Sequence, residues 1–259
     1  MDFKQKLDQI HTLKAEIDAI GRIDPAQLKN IDDWYRIEMT YTSNALEDNT
    51  LTRQETAQVV EKDISVEGKS LRELIEAKNH AAAIDHIMDM VRTDQFKAIS
   101  LRKIIDIHSI LLQKIDDANA GKLRTVPVRI AGSTAIMPNP VKVPELMDEF
   151  IEWLATNASA DPVTCAIECH FRFVSIHPFT DGNGRTARLV MNAVLAVNGY
   201  PPLIIPKESR REYVTSLEKG QNRSTGIEQE KGDTDDYFDF MYTKMIESME
   251  EYLRMVKGK

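Results

Sequence analysis

The most informative segment of the chain is His177-Pro-Phe-Thr-Asp-Gly-Asn-Gly-Arg-Thr-Ala-Arg188. It lies between two apolar stretches with helical spacing, so we expect a tight loop that leads into the N-terminus of a helix. Gly182 and Gly184 let the backbone turn and approach a ligand closely, and the N–H groups that follow lie at the positive end of the helix dipole. The segment therefore predicts a phosphate-binding loop.

Four side chains of this loop suit a nucleotide reaction. Arg185 and Arg188 lie three residues apart on one helix face, so both guanidinium groups can reach neighbouring phosphates. Asp181 is the one carboxylate nearby, and Mg²⁺ prefers one or two carboxylates together with phosphate oxygens. His177 has an ordinary pKa near neutrality and can take a proton from a hydroxyl. Each residue alone fits a plain turn or a solvated helix face, whereas their joint occurrence favours catalysis.

Outside this loop the sequence predicts helices almost throughout. Thr52-Arg-Gln-Glu55 and Ser70-Leu-Arg-Glu73 each form a predicted capping box that opens a helix. Amphipathic spacing and capping residues predict helices at 7–20, 33–47, 52–62, 70–91, 100–114, 144–157, 161–175, 185–198, 208–219 and 233–255. The interruption rich in proline and glycine contains Thr125-Val-Pro-Val-Arg-Ile130. It predicts a short β-hairpin that turns at Ala131-Gly132-Ser133. The expected fold class is all-α with one hairpin.

Composition describes an acidic globular protein. The 259 residues include 33 Lys or Arg and 41 Asp or Glu, a net charge of −8 that disfavours nucleic acid as a direct partner. The N-terminus lacks the apolar segment of a secretory signal, and the longest apolar run is far shorter than the ~20 residues that cross a bilayer. We therefore expect a cytoplasmic protein without a membrane span.

The charge is unevenly distributed along the chain. Residues 170–211 carry a net charge of +4, and the remainder carries −12. A small basic pocket in an acidic body is therefore expected. Cys165 and Cys169 precede His170, but their spacing is not the Cys-x-x-Cys of zinc and redox sites. Buried packing thiols are favoured over a metal site there.

The segment 177–188 resembles the signature of the Fic family of nucleotidyltransferases, His-x-Phe-x-(Asp/Glu)-Gly-Asn-Gly-Arg-x-x-Arg, at every fixed position. The resemblance implies a Fic-type helical catalytic domain at 99–245, preceded by an N-terminal helical region at 1–98 and followed by a helix end at 246–259. It also implies that the hairpin, residues 126–138, is a flap whose edge pairs with an extended stretch of a target protein.

The activity that the resemblance implies is transfer of AMP from ATP, with Mg²⁺, to a Ser, Thr or Tyr hydroxyl of a target protein or of the enzyme itself. By position, His177 would be the general base and Asp181 the Mg²⁺ ligand. The triphosphate ligands would be Gly182, Asn183, Gly184, Arg185 and Arg188. Tyr213 and Asn222 resemble residues that line the adenine and ribose pocket, and packing into the core is an equally good interpretation of Tyr213.

A second segment, Ser43-Asn-Ala-Leu-Glu47-Asp-Asn, resembles the autoinhibitory motif of the same family, (Ser/Thr)-x-x-x-Glu-(Gly/Asn). The resemblance implies that Glu47 pairs with Arg188 and takes the place of the γ-phosphate. The chain departs from the motif at Asp48, where the pattern has Gly or Asn. The alternative is that Glu47 is an ordinary exposed helix residue.

Other functions remain open at this point. Relatives use the same scaffold to phosphorylate, to transfer phosphocholine or to remove AMP. Retention of Gly184 argues against a kinase, whereas a glutamate at position 47 could orient a water that removes AMP. A regulator that senses ATP without turning it over is a further alternative. The sequence indicates neither the target protein nor an oligomeric state, and no basic helix suggests direct DNA binding.

Overall fold

The computed structural model of the protein describes residues 2–93, 99–130, 133, 135–157, 161–221 and 233–258. Within these ranges the chain forms ten α-helices, two short 3₁₀ helices and no strand, which confirms the predicted all-α class. The α-helices are α1 (Phe3–Ala19), α2 (Pro25–Ala45), α3 (Arg53–Lys62), α4 (Leu71–Arg92), α5 (Leu101–Leu112), α6 (Val143–Thr156), α7 (Pro162–Ile176), α8 (Asn183–Val197), α9 (Arg210–Gln221) and α10 (Asp235–Lys257). Across the described ranges, none of these helices is both long and apolar enough to cross a bilayer.

Capping side chains determine where several helices begin. Thr52 and Ser70 each accept the backbone N–H of the glutamate three residues on, whose carboxylate bonds back, so both predicted capping boxes are present. The predicted start of the second helix at residue 33 is wrong, because α2 begins at Pro25. Asp24 caps it by accepting the N–H groups of two following residues at 2.9 and 3.2 Å, and proline is tolerated at the first helical position.

One hydrophobic core joins the two ends of the chain to its middle. α7 packs against α8 at the centre, α1 packs against α10, and α4 packs against α5 and α8. The core includes Ile10 of α1, Ile104 of α5 and Leu253 of α10, all buried. Residues from each of the three predicted segments thus share this core, and the division into 1–98, 99–245 and 246–259 stays a prediction.

The predicted hairpin at 126–138 is not seen in the residues that the structure describes. Its described residues form no strand, and the N–H of Ser133 donates to the carbonyl of Ile130 at 3.1 Å. Ala131 and Gly132 of the predicted turn, together with Thr134, lie outside the described residues. An isolated two-stranded hairpin is marginally stable by itself, so this segment depends on contacts with the rest of the fold.

Three buried polar rings connect α7, α9 and α10. The hydroxyl of Tyr237 donates to the carbonyl of Ile167 at 3.1 Å, so it accepts from Nδ1 of His170 at 2.8 Å. Nε2 of His170 is then free to accept from the hydroxyl of Tyr213 at 2.8 Å. Burial lowers the pKa of His170 to about 3, so the ring stays neutral and every polar atom of the network has a partner.

Cys165 and Cys169 are buried, unpaired thiols of α7. Burial raises the pKa of Cys165 to about 11, which keeps it protonated and unsuited to metal binding. Both ring nitrogens of His170 are bonded to tyrosines. Among the described residues, no group of three or more His, Cys, Asp or Glu side chains could hold a metal ion.

Tyr237→Phe should lower the free energy of unfolding by about 1–3 kcal/mol, because it leaves the His170 N–H without a partner in a dry core. Urea unfolding followed by circular dichroism measures the loss. Tyr252→Phe in the same helix is the matched control, since the described residues show no hydrogen bond to its half-buried hydroxyl; it should change stability by less than about 0.5 kcal/mol. Equal losses would contradict a role for the network.

Candidate functional site

His177 ends α7 in a left-handed conformation, with φ of +51°. Its backbone N–H donates to the carbonyl of Phe173 at 3.0 Å, and its ring Nδ1 lies 3.3 Å from the carbonyl of Val174. Because a carbonyl can only accept, Nδ1 carries the proton and Nε2 keeps its lone pair. Burial lowers the pKa of His177, and the charge of Arg124 lowers it further. The ring is therefore a neutral base near pH 7.

The loop between α7 and α8 is closed by Asn183. The side chain of Asn183 accepts from the N–H of Phe179 and donates to its carbonyl, both at 2.9 Å. Gly182 precedes α8 with φ of +73°, and a Cβ there would lie 2.7 Å from Leu112 Cδ2. Both the positive φ and this close approach favour glycine here. The predicted tight loop is thus present, and the side chain of Asn183 is used to shape it.

His108 of α5 supports the loop from the neighbouring helix. Its Nδ1 accepts from the N–H of Gly121 at 2.9 Å, so its Nε2 donates to the carbonyl of Asp181 at 3.0 Å. The ring stacks on Phe179 with centroids 3.6 Å apart. Burial lowers the pKa of His108 to about 4. The sequence analysis missed this residue, and its one signal was a lone histidine on the apolar face of a predicted helix.

Arg185 is buried with unused hydrogen-bond donors. Its residue is 2% exposed, yet Nε and Nη1 have no hydrogen-bond partner. Nη1 lies 3.4 Å from a carboxylate oxygen of Glu76, and Nη2 lies 3.7 Å from one of Asp181. These contacts are ion pairs without hydrogen bonds. Buried guanidinium donors that lack partners suit an anionic ligand that would complete them.

Arg188 is held by the segment that contains the second motif. Its Nη2 donates to Glu47 Oε1 at 2.7 Å and to the Ser43 carbonyl at 2.9 Å, and its Nε donates to Ser43 Oγ at 2.9 Å. The Glu47 carboxylate also lies against Gly184, where an added Cβ would collide with Oε1. This carboxylate therefore occupies the N-terminal end of α8, where an anion is favoured.

The backbone at Asp48 explains the residue types in that motif. Asp48 has φ of +66°, a left-handed conformation that Gly and Asn adopt readily and that Asp also tolerates. Its exposed side chain accepts from Nη2 of Arg210 at 3.3 Å, and Nε of Arg210 donates to the Leu46 carbonyl at 2.9 Å. The departure from the motif thus keeps the turn, and α9 braces it.

α4 contacts two predicted nucleotide ligands. Arg72 donates to Asp181 at 3.0 Å and to Glu76 at 3.1 Å. Glu76 in turn approaches Arg185 and accepts from Nδ2 of Asn49 at 3.0 Å. α4 thus contacts the predicted Mg²⁺ ligand Asp181 through Arg72, and the predicted phosphate ligand Arg185 through Glu76. Asn49 links this cluster to the turn that carries Glu47. The sequence analysis identified none of the α4 residues.

Tyr213 lies in the core next to Arg188. Its hydroxyl bonds to His170 at 2.8 Å, and burial raises its pKa while the charge of Arg188 opposes that rise. This is the packing role that the sequence left open for Tyr213. Asn222 lies outside the described residues. A place for either residue in an adenine and ribose pocket stays a prediction.

Known proteins resemble both the sequence and the fold. The sequence profile of Fic, the Fic/DOC family, matches residues 98–195, which include the whole loop. The protein adenylyltransferase fic-1 of Caenorhabditis briggsae is 36% identical over 179 residues, 68% of this chain and 35% of that protein. The protein of the same name from Caenorhabditis elegans is 32% identical over 216 residues, 83% of this chain and 42% of that protein. The chain thus spans less than half the length of these two curated relatives.

The structural match extends over almost the entire chain. The crystal structure of a Fic domain containing signaling protein from Bacteroides thetaiotaomicron superposes with a TM-score of 0.87 at 27% identity, and the match covers 97% of both chains. The match therefore includes the helices on both sides of the segment recognised by the sequence profile. Sequence and fold agree that this chain is a Fic-domain protein of the Fic/DOC family.

Proposed function

We propose that the protein transfers AMP from ATP to a Ser, Thr or Tyr hydroxyl of a target protein or of itself, and that Glu47 restrains this transfer by occupying Arg188. The names of the curated relatives, protein adenylyltransferases, support the activity. One observation carries the restraint: the guanidinium suited to the γ-phosphate donates to a carboxylate at 2.7 Å instead. While Arg188 donates to Glu47, its guanidinium is not available to the γ-phosphate.

The chemistry needs one base and a well-placed phosphate. The hydroxyl oxygen of the target attacks the α-phosphorus of ATP, the bond from that phosphorus to the oxygen bridging to the β-phosphate breaks, and pyrophosphate leaves. Nε2 of His177 takes the hydroxyl proton, because the proton on Nδ1 is committed to the Val174 carbonyl. The remaining work is positioning and stabilisation of charge, which a rigid loop and buried arginines supply.

The loop residues fit a triphosphate and its metal ion. The unpartnered Nε and Nη1 of Arg185 would donate to phosphate oxygens. The N-terminal end of α8 at Gly184, where the Glu47 carboxylate now lies, would face the negative charge of the phosphates. Asp181 is the carboxylate that would hold Mg²⁺ together with phosphate oxygens. Mg²⁺ would neutralise charge on the leaving pyrophosphate.

The strength of the restraint follows from how Glu47 is placed. Its side chain is 41% exposed, so its contact with Arg188 is weaker than that of a fully buried pair. A hydrogen bond to a charged group contributes about 1.5–3 kcal/mol. Since about 1.4 kcal/mol corresponds to a factor of ten in rate, we expect Glu47 to hold transfer down by about ten- to a hundredfold.

Glu47→Gly should raise self-modification by about ten- to a hundredfold, because Arg188 becomes available to the γ-phosphate. The measurement is intact mass after incubation with ATP and Mg²⁺, which shows the addition of AMP. Asp48→Gly is the matched control: it removes the neighbouring carboxylate at a position whose positive φ suits glycine, keeps Glu47, and should leave labelling at the wild-type level. Equal labelling of the wild type and Glu47→Gly would contradict the restraint.

His177→Ala in the Glu47→Gly protein should abolish labelling, because no other neutral imidazole of the described residues lies in this loop. ATP affinity, measured by isothermal titration calorimetry, should stay within about twofold of the Glu47→Gly protein, since the phosphate ligands are unchanged. Labelling that survives the loss of His177 would show that a different group takes the proton.

Asp48→Val should also raise labelling although Glu47 is retained. A β-branched residue at positive φ is strained, by roughly 1–2 kcal/mol, and the strain falls on the turn that presents Glu47. Asp63→Val is the matched control, because Asp63 ends α3 with φ of +56°, in the same left-handed conformation. Both variants should lose stability in urea, and only Asp48→Val should gain labelling. A gain in both would point to general destabilisation.

Removal of AMP from a modified protein is the alternative reaction on this site. Glu47 lies close enough to His177 for its charge to oppose the lowering of the His177 pKa, so it could also orient a water. The two functions predict opposite effects of Glu47→Gly. Transfer would rise in that variant, whereas hydrolysis of an AMP-modified protein would be lost.

A further inference from the structure

Arg124 is a buried cation that bonds to backbone. Its residue is 3% exposed, and among the described residues it forms no ion pair with a carboxylate. Burial lowers its pKa, yet an arginine stays protonated in proteins. Each guanidinium hydrogen bond goes to a main-chain carbonyl. Burying a charge in this way is costly unless the charged group is fully hydrogen-bonded. The positions of the carbonyls that Arg124 bonds to therefore indicate what the buried charge is used for.

These contacts begin at the residue proposed as the base. Nε of Arg124 donates to the carbonyl of His177 at 2.7 Å, and Nη2 approaches the carbonyl of Ile176 at 3.4 Å. The backbone N–H of Arg124 donates to the carbonyl of Pro178 at 2.9 Å. Side chain and main chain of one residue therefore hold three consecutive carbonyls at the end of α7.

The same guanidinium reaches both ends of the flap. Nη1 donates to the carbonyl of Val126 at 3.2 Å, where the flap leaves the core, and Nη2 donates to the carbonyl of Pro138 at 2.7 Å, where it returns. A cation that only compensated the dipole of α7 would account for the bonds to that helix end. It would not account for the bonds to the two flap ends, neither of which belongs to α7.

We propose that Arg124 is a positioning residue for the transfer reaction, one that fixes both ends of the flap relative to His177. The proposal rests on the proposed function and on the predicted role of residues 126–138 in binding the target. A target hydroxyl carried along the flap must reach the α-phosphorus and Nε2 of His177 together, and misplacement of reacting groups by about 1 Å costs on the order of a hundredfold in rate. Arg124 sets that distance through the backbone and touches neither substrate.

The planar guanidinium is what this arrangement requires. Its donors point in fixed directions within one plane and can serve acceptors on separate segments simultaneously. A lysine retains the charge next to the α7 terminus, yet its single ammonium cannot span the end of α7 and both flap ends. Arg124→Lys keeps the positive charge and removes the planar set of donors, so it tests which of the two the transfer reaction requires.

The test uses the full chain carrying Glu47→Gly, with Arg124→Lys added. We expect the rate of self-labelling, measured by intact mass, to fall at least tenfold. Affinity for ATP with Mg²⁺, measured by calorimetry, should change less than twofold. Release of free AMP, in which water replaces the flap-bound hydroxyl, should be largely retained, so the ratio of labelling to AMP release falls. The matched control is Arg102→Lys on the exposed face of α5, which should change none of these.

Two outcomes would overturn the proposal. Full labelling by Arg124→Lys would show that charge alone suffices, and a parallel loss of labelling, AMP release and ATP affinity would show a merely structural role. Hydrogen exchange provides a readout that needs no catalysis. Amides at 125–130 and 135–137 should exchange faster in Arg124→Lys, with α8 unchanged. If the Glu47→Gly protein labels nothing, the proposed function fails, and unchanged exchange at these amides would separately overturn the role of Arg124.

Discussion

The contact between Glu47 and Arg188 joins the N-terminal helices to α8, and much of the surrounding structure holds it in place. Ser43 at the end of α2 also accepts from Nε and Nη2 of the same guanidinium. Arg210 of α9 bonds to the carbonyl before Glu47 and to the carboxylate after it. α2, α8 and α9 thus all contact the turn that presents Glu47 at the N-terminus of α8.

The charge balance beneath the loop explains why such a contact is useful. His108 and His170 are buried and neutral, with pKa values lowered to about 4 and about 3 by burial. The buried positive charge around the loop therefore comes from arginines: Arg185 and Arg188 of α8, and Arg124 beside His177. Buried guanidinium groups need counter-charges, and Glu47 supplies the one at Arg188.

Features with local causes could be predicted from the sequence. Capping boxes at Thr52 and Ser70 gave correct helix starts, and the glycine at 182 correctly indicated a tight turn before α8. The start of α2 was missed because its first turns are polar, and the cap at Asp24 outweighs that pattern. Arg72 of α4 contacts Asp181, 109 residues away in sequence, and helical periodicity gives no information on contacts of that range. The bonds of Arg124 go to backbone carbonyls, and because every residue has one, no sequence motif identifies these partners.

The most direct measurement compares ATP with ADP, each with Mg²⁺, in calorimetric titrations of the wild type and Glu47→Gly. If Glu47 takes the place of the γ-phosphate at Arg188, the variant should gain at least tenfold in affinity for ATP, about 1.4 kcal/mol. Its affinity for ADP, which lacks that phosphate, should change less than about twofold. Equal gains for both nucleotides, or no gain for ATP, would contradict the assignment of Arg188 as a γ-phosphate ligand blocked by Glu47.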